Sequence, residues 1–152
     1  MSRPFSRYHN NCPRCPVLGA EDIPSDEYYN LKWMRLNINI AREMVNGRTP
    51  VRVEPGALKR WLEHTRIDPQ HVTHVPLNVG PGLKVTLPGG CGEPIIDGNH
   101  RAARSLREGK NFFVYVFDEA ETLQILRRSM GTHLADLIWS ALAESRPHPD
   151  DL

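Results

Sequence analysis

The sequence predicts an α/β or α+β fold in which a small mixed sheet carries packed helices. Three features predict it: apolar segments of strand length, helical spacing of apolar residues between them, and Gly or Pro at their boundaries. With 152 residues, of which 39% are hydrophobic, the chain is suited to one folded domain. We expect that domain over residues 25–145, after an irregular proline-containing segment at 1–24 and before a disordered tail at 146–152.

The first elements are predicted from capping and alternation. Ser25 is suited to cap a short helix through Trp33, because its hydroxyl can accept from the free amides of a first turn. Apolar and polar residues then alternate over 34–40, which predicts a strand with one buried face. Asn46-Gly47 tolerates positive φ and predicts a turn.

The middle of the chain predicts strands on either side of a helix. Val51–Val53 has strand character, and Pro55 fits the first turn of a helix, where its missing N–H costs nothing. Residues 74–79 are predicted as a strand, with 83–87 returning beside it as a hairpin arm after a Gly-Pro-Gly break. One face of the intervening helix is apolar through Leu58, Trp61 and Leu62.

The segment from residue 94 to 117 predicts a strand, a helix and a second strand. Pro94–Ile96 is short and apolar, the helix after it has Ala103 and Leu106 on one face, and Gly109 is suited to cap its C-terminus. The apolar run Phe112–Phe117 does not alternate, so we expect a strand covered on both faces.

Two C-terminal helices are predicted from spacing alone. Apolar residues at 120, 123, 126 and 130 predict a helix that ends at Gly131, and Thr132 opens the next one. The apolar positions of that final helix are Leu134, Leu137, Ile138, Ala141 and Leu142.

The bulk charge excludes some classes of function. The net charge is +1, so nothing draws the whole chain to nucleic acid or to an anionic membrane, and a polyanion site must come from local clustering. No apolar run approaches the roughly 20 residues of a membrane-spanning helix, and residues 1–10 lack an apolar signal core. We therefore expect a cytoplasmic protein without a membrane partner.

The segment that carries chemistry is Asp97-Gly98-Asn99-His100-Arg101, called the corner below. Here a strand is predicted to end and a helix to begin, and the first amides of a helix have no intrahelical partner and attract anions. Gly98 allows the backbone to approach a ligand closely, while His100 and Arg101 can add charge-assisted bonds to phosphate oxygens. Asp97 or Asn99 can instead cap the helix, and Asp97 can face a metal or a hydroxyl. The alternative is a capped turn with solvated first-turn residues.

Residues 94–103, with Leu106, Gly109 and the Phe112–Phe117 strand, resemble the signature of the ParB/sulfiredoxin superfamily. In that group a Gly-x-His-Arg type corner opens a helix and holds nucleotide phosphates. Sulfiredoxin hydrolyses ATP while repairing peroxiredoxin, ParB proteins bind CTP, and a free-serine kinase phosphorylates serine. The likeness is specific over residues 93–118 and looser over 51–92.

The resemblance implies binding of ATP or CTP with Mg²⁺, and hydrolysis or transfer of the phosphate. The corner would form the phosphate site, with His100 and Arg101 stabilising its charge. Arg104, on the helix behind Arg101, would contribute to nucleotide binding. Glu93, a carboxylate close to the corner, would orient a hydroxyl or hold magnesium, as phosphate transfer requires.

Two differences from members of this superfamily narrow the range of functions that we expect. Sulfiredoxin has its catalytic cysteine directly before the His-Arg pair, where this chain has Asn99, so we do not expect sulfiredoxin activity. About 35 residues follow Phe117, too few for the operator-reading and dimerisation domains of a ParB partition protein. We therefore expect the nucleotide-handling core in isolation.

Cys12-Pro13-Arg14-Cys15 has the spacing of half a zinc site, which His9, Cys91 or another histidine would have to complete. The alternative is two free thiols in a proline-rich loop, since a second Cys-x-x-Cys is missing from the sequence. Two further functions stay open. One is metal-dependent nuclease action, because parts of this superfamily are described as nuclease-like. The other is a non-enzymatic adaptor that binds DNA or protein and uses its nucleotide site as a switch.

Overall fold

The computed structural model describes residues 27–145 apart from 32, 76, 78 and 79. The irregular segment predicted at 1–24, Ser25, and the tail predicted at 146–152 lie outside these residues. Over the described ranges the fold is mixed α+β, with two small sheets and six α-helices. The fold class expected from the sequence is therefore confirmed. No helix of these ranges is both long enough and apolar enough to cross a membrane.

The smaller sheet is an antiparallel pair of strands, β1 (Tyr28–Leu31) and β2 (Met34–Asn37). The helix predicted up to Trp33 is therefore wrong over β1, because each residue of β1 pairs with one of β2. The strand predicted over 34–40 ends early. Asn37 accepts a hydrogen bond from the Ile40 N–H at 3.2 Å and thereby starts helix α1 (Ile38–Glu43).

The larger sheet of the described residues is mixed. Its strands are β3 (Val51–Arg52), β4 (Gly82–Lys84), β5 (Ile95–Asp97) and β6 (Phe113–Val116). Their order is β3–β6–β4–β5, with β6 parallel to β4 and the other two pairs antiparallel. The strands predicted at 51–53, 94–96 and 112–117 are thus present, each slightly shorter or shifted by one residue.

The hairpin predicted between 74–79 and 83–87 is wrong. Helix α3 (Pro69–His74) occupies its start, because the Asp68 side chain accepts from the Gln70 N–H at 3.1 Å and Pro69 fits the first turn. Pro76, Asn78 and Val79 lie outside the described residues. β4 pairs instead with β5 and β6.

The remaining helices begin near the predicted residues. They are α2 (Pro55–Glu63), α4 (Asn99–Arg107), α5 (Glu119–Met130) and α6 (Thr132–Glu144). α4 ends as Gly109 predicts: its φ is 70°, its N–H bonds to Leu106 O, and the Lys110 N–H bonds to Ser105 O at 2.8 Å. The buried face of α4 is formed by Ala102 and Ser105, whereas the predicted pair, Ala103 and Leu106, is half-buried.

The core has two clusters. The larger joins β2 to the α5–α6 pair and buries Leu36, Phe117, Ile125 and Leu126 completely. The smaller lies between α2, α4 and the larger sheet, and it contains Leu58, Ile95, Ala102, Phe112 and Val114. The corner is at the edge of this smaller cluster.

Three predicted core positions are exposed. Leu134 and Leu137 are 46% and 57% exposed, since α6 packs on α5 through the narrower face of Ala135 and Ile138. Phe113 is 41% exposed because successive side chains of a strand point to opposite faces and the neighbouring Val114 takes the buried one. The prediction that the Phe112–Phe117 strand is covered on both faces is therefore wrong at Phe113.

Candidate functional site

The corner is a sharp turn from β5 into α4. Gly98 has φ 93° and is the N-cap of α4, whose first hydrogen bond runs from the Ala102 N–H to Gly98 O at 2.8 Å. No side chain of the described residues caps this helix start. The five corner residues are partly exposed. The first turn of α4 is therefore without a side-chain cap among the described residues, and Asn99, His100 and Arg101 within it are partly exposed.

Gly98 is required by packing as well as by its backbone conformation. A Cβ at this position would lie 3.1 Å from the Gly82 Cα and 3.2 Å from the Phe112 ring. Gly82 is tighter still, since its own Cβ would lie 2.5 Å from Asp97 O. The close approach that the glycine permits is thus made to β4 of the same chain, which fixes the start of α4 against the sheet.

Asp97 is held by an arginine that sequence reasoning missed. Its Oδ2 accepts from Arg42 Nη2 at 2.9 Å and from Arg42 Nε at 3.3 Å, and lies 4.0 Å from Arg101 Nη2. Arg42 also donates to Glu27 Oε2 at 2.9 Å. The four side chains form a line of alternating charge, Glu27–Arg42–Asp97–Arg101. Nothing in the local sequence links Arg42 of α1 to a residue 55 positions later.

Burial and mutual charge shift three pKa values along this line. Burial raises the pKa of Glu27, and the nearby Asp97 carboxylate raises it further against the opposing effect of Arg42. For Arg42, burial acts to lower the pKa, but the Asp97 and Glu27 carboxylates outweigh burial and raise it. For Arg101, burial lowers the pKa despite the attraction of Asp97. Arg101 still carries its charge at neutral pH, but it is incompletely compensated.

The guanidinium of Arg101 does not use all of its hydrogen-bond donors within the described residues. Its side chain is 13% exposed, and Nη2 donates to Pro81 O at 3.2 Å. Its Nε is buried and meets no hydrogen-bond partner among the described residues. A buried guanidinium with unfilled donors is unfavourable on its own and favourable toward an anion that reaches its exposed edge.

His100 and Asn99 are bonded within the chain. His100 Nε2 accepts from the Asp68 N–H at 3.0 Å, and its ring lies edge-to-face on His71 with 4.7 Å between centroids. Asn99 Oδ1 accepts from Trp61 Nε1 at 2.7 Å, and Asn99 Nδ2 donates to Ile95 O at 2.9 Å. These side chains tie α2, α3 and β5 to α4. Nε2 of His100 is therefore an acceptor already in use.

Arg104 and Glu93, the other predicted site residues, lie outside the corner. Arg104 donates from Nη1 to Val75 O at 2.6 Å and pairs with Glu108 at 2.5 Å. Glu93 is 58% exposed and lies 3.8 Å from Lys84 Nζ. Arg104 is thus turned toward the end of α3, and Glu93 forms a loose surface ion pair.

Cys12 and Cys15, the residues predicted to bind metal, lie outside the described part of the chain. Within it, the Cys91 thiol donates to Leu142 O at 3.2 Å. Across the described ranges, no group of three His, Cys, Asp or Glu side chains is arranged to hold a metal ion.

A cleft of about 340 Å³ opens beside the corner. Its lining includes Arg101 and Ser105 of α4 together with Pro81, Phe112 and Phe113. Ser105 is a second residue that sequence reasoning missed. Its position one helical turn after Arg101 was the available signal, since residues four apart share a helix face.

No family model matches this chain, and searches of curated proteins and of solved structures returned no match either.

Proposed function

We propose that the chain is a nucleotide-binding domain of the ParB/sulfiredoxin type, in which the corner takes the phosphates of ATP or CTP. The observation that carries the proposal is the start of α4. Its amides lack a side-chain cap within the described residues, and they adjoin a guanidinium with unfilled donors. Such an arrangement favours a phosphate, which can accept from amides and from Arg101 together.

The corner side chains divide into a binding group and a positioning group. Arg101 and the first-turn amides would contact phosphate. Asp97 lies 4.0 Å from Arg101 Nη2, while its Oδ2 accepts two hydrogen bonds from Arg42, so Arg101 is left with charge to offer a phosphate. Asn99 and His100 fix the direction of α4 through Trp61 and Asp68.

The described residues do not form a resident magnesium site. Asp97 is the carboxylate at the corner, and its Oδ2 already accepts from Arg42. Magnesium would therefore arrive with the nucleotide, on whose phosphates it is commonly held. Hydrolysis or phosphate transfer also needs a group that orients the attacking water or hydroxyl. Because His100 Nε2 and Asp97 are engaged, nucleotide binding is the function that this geometry supports best.

A non-enzymatic adaptor is the second candidate. Asp97, Asn99 and His100 are all bonded within the chain, which suits a site that binds a nucleotide and changes contacts without chemistry. The adaptor predicts unchanged nucleotide after long incubation with magnesium, whereas a hydrolase or transferase predicts release or transfer of phosphate. Nuclease action would need carboxylates free to hold metal, and it predicts metal-dependent nicking of plasmid DNA that is lost in Asp97→Asn.

Binding is tested by thermal shift and calorimetry with ATP, CTP, GTP and ADP, each with and without Mg²⁺. We expect ATP or CTP to stabilise the protein and Arg101→Ala to weaken that binding about tenfold or more, as loss of a charged hydrogen-bond donor does. Arg107→Ala is the matched control, because Arg107 lies exposed in the last turn of the same helix. Equal affinity in the parent and both variants, or absence of binding in the parent, would overturn the proposal.

A further inference from the structure

The cleft beside the corner is lined by a few polar side chains and by a larger number of apolar residues. Two side chains of α4, Arg101 and Ser105, contribute the charge and the hydroxyl. The apolar lining is mainly rings and prolines: Pro50, Pro81, Phe112 and Phe113. This mixture is typical of small-molecule sites, in which apolar surface surrounds a few convergent polar groups.

Ser105 lines the cleft and was not among the site residues predicted from the sequence. The residue is 5% exposed, yet its hydroxyl makes no hydrogen bond within the described part of the chain. Arg101 Nε is the buried side-chain atom of the described residues that lacks a partner, so the Ser105 hydroxyl keeps some exposure to the cleft that the residue borders. An unpaired hydroxyl there can donate to, or accept from, a molecule that enters the cleft.

Arg101 supplies the charge of the cleft. It lies four residues before Ser105 on the same helix face, with its buried Nε unpartnered and its Nη2 bonded to Pro81 O at 3.2 Å. Asp97, the nearest carboxylate, is 4.0 Å away and is bonded twice to Arg42. Among the described residues that line the cleft, Arg101 is the one cation and acidic side chains are missing.

We propose that this cleft binds a small aromatic or heteroaromatic molecule with one carboxylate. The carboxylate would accept from Arg101 and the Ser105 hydroxyl, and the ring would lie against Phe112, Phe113 and Pro81. The cleft itself is lined by a single cation, which matches a single negative charge. The cavity of about 340 Å³ is near the lower end of the roughly 300–1,000 Å³ of ligand sites, which suits a one- or two-ring molecule. This site adjoins the corner through Arg101 but does not depend on a nucleotide.

The test uses ligand-detected and amide-detected NMR on the full chain with two probes, indole-3-carboxylate and the neutral indole-3-carboxamide. We expect the acid to bind in the millimolar range, with amide shifts confined to α4 and residues 111–113, and the carboxamide to bind at least about tenfold more weakly. Equal affinity for the two probes, or amide shifts elsewhere on the protein, would overturn the proposal. So would the absence of any binding signal with the acid up to about 10 mM.

Two variants locate the site. Phe113→Ala removes a wall that is already 41% exposed, so the fold should tolerate it, and Ser105→Ala removes the hydroxyl. Each variant should bind indole-3-carboxylate about threefold to tenfold more weakly than the parent. Val51→Ala is the matched control, because Val51 is 53% exposed on the neighbouring strand and does not line the cleft. If Val51→Ala lost as much affinity for indole-3-carboxylate as Phe113→Ala, the assignment of the cleft would be contradicted.

A parallel ATP titration on the same sample separates the two proposals. Acid binding without ATP binding would refute the nucleotide function and leave the cleft assignment standing. ATP binding without acid binding would refute the cleft assignment alone.

Discussion

Helices α4 and α5 both follow a strand of the larger sheet, yet their N-termini are capped differently. At α5, Asp118 Oδ1 accepts from the Glu121 N–H at 2.8 Å, while Glu121 Oε1 accepts from the Asp118 N–H at 3.0 Å. This capping box leaves the chain's own carboxylates where an external anion would bind. At α4 the N-cap is Gly98, and no described side chain takes that place.

The charged side chains of the two first turns also favour an anion at α4 and oppose one at α5. The first turn of α5 carries Glu119 and Glu121, which neutralise the positive end of the helix. The first turn of α4 carries Arg101, whose charge adds to it. α6 is a useful third case, because it begins at Gly131 without a side-chain cap and without an arginine in its first turn. The anion site proposed at α4 thus combines an open helix start with an arginine, a combination that the starts of α5 and α6 lack.

The largest expected effect comes from closing the space at the start of α4. Gly98→Ala should lower the free energy of unfolding by about 3 kcal/mol, because the left-handed backbone and the contacts with Gly82 and Phe112 both oppose a Cβ. Gly109→Ala, with φ 70° and open space around it, should lose about 1 kcal/mol from backbone strain alone. Urea unfolding measures both. Equal losses would show that packing at the corner contributes little.

The next effect comes from removing the carboxylate that Arg42 and Arg101 share. Asp97→Ala should lower the free energy of unfolding by about 2 kcal/mol, less than for a fully buried pair because the Arg42 side chain is 38% exposed. Glu93→Ala is the matched control at an exposed ion pair and should change stability by less than about 0.5 kcal/mol. Indistinguishable urea midpoints for the two variants would refute the role given to Asp97.

Opening the capped helix start should have a smaller effect and should leave binding unchanged. Asp118→Ala removes the cap of α5 and should lower the free energy of unfolding by about 1 kcal/mol. Calorimetry should find its affinity for ATP or CTP equal to that of the parent, since the opened start of α5 would still carry Glu119 and Glu121 and would have no arginine in its first turn. Tighter nucleotide binding in Asp118→Ala would show that a free helix start suffices.

The smallest effect is a pH dependence from Glu27. Its folded pKa is raised above the ordinary value of 4.5, so the folded state binds the proton more tightly than the unfolded state. The resulting penalty is absent well below pH 4.5, grows as the pH rises above that value, and is complete once the pH passes the folded pKa. Glu27→Gln should therefore be slightly more stable than the parent at neutral pH, by less than about 0.5 kcal/mol because the side chain is 31% exposed. Melting temperatures across that pH range check the sign, and a less stable variant at neutral pH would contradict it.

The corner was predictable from the sequence because its signals are local. Ile95-Ile96 before a glycine, helical spacing after it, and Gly109 at the end specify strand, turn and helix without distant contacts. The hairpin predicted at 74–79 was wrong although its correction was also local. Asp68-Pro69 is an N-cap followed by a first-turn proline, and it starts α3.

The partners of the corner side chains were not predictable from spacing. Arg42 reaches Asp97 across 55 residues, Trp61 reaches Asn99 across 38, and Asp68 reaches His100 across 32. These contacts depend on how α1, α2 and α3 pack around α4, which periodicity does not specify. They change the interpretation of Asn99 and His100 from phosphate ligands to side chains that hold the helix start in place.

The central claim is that an anion docks on the first-turn amides of α4, and amide NMR during a titration with Mg²⁺–ATP or Mg²⁺–CTP tests it most directly. We predict progressive shifts at residues 98–102, smaller or absent shifts at residues 119–122 of the capped helix, and loss of the shifts in Arg101→Ala. Unmoved amides at 98–102 up to about 5 mM of either nucleotide, or equal shifts at the two helix starts, would contradict the claim.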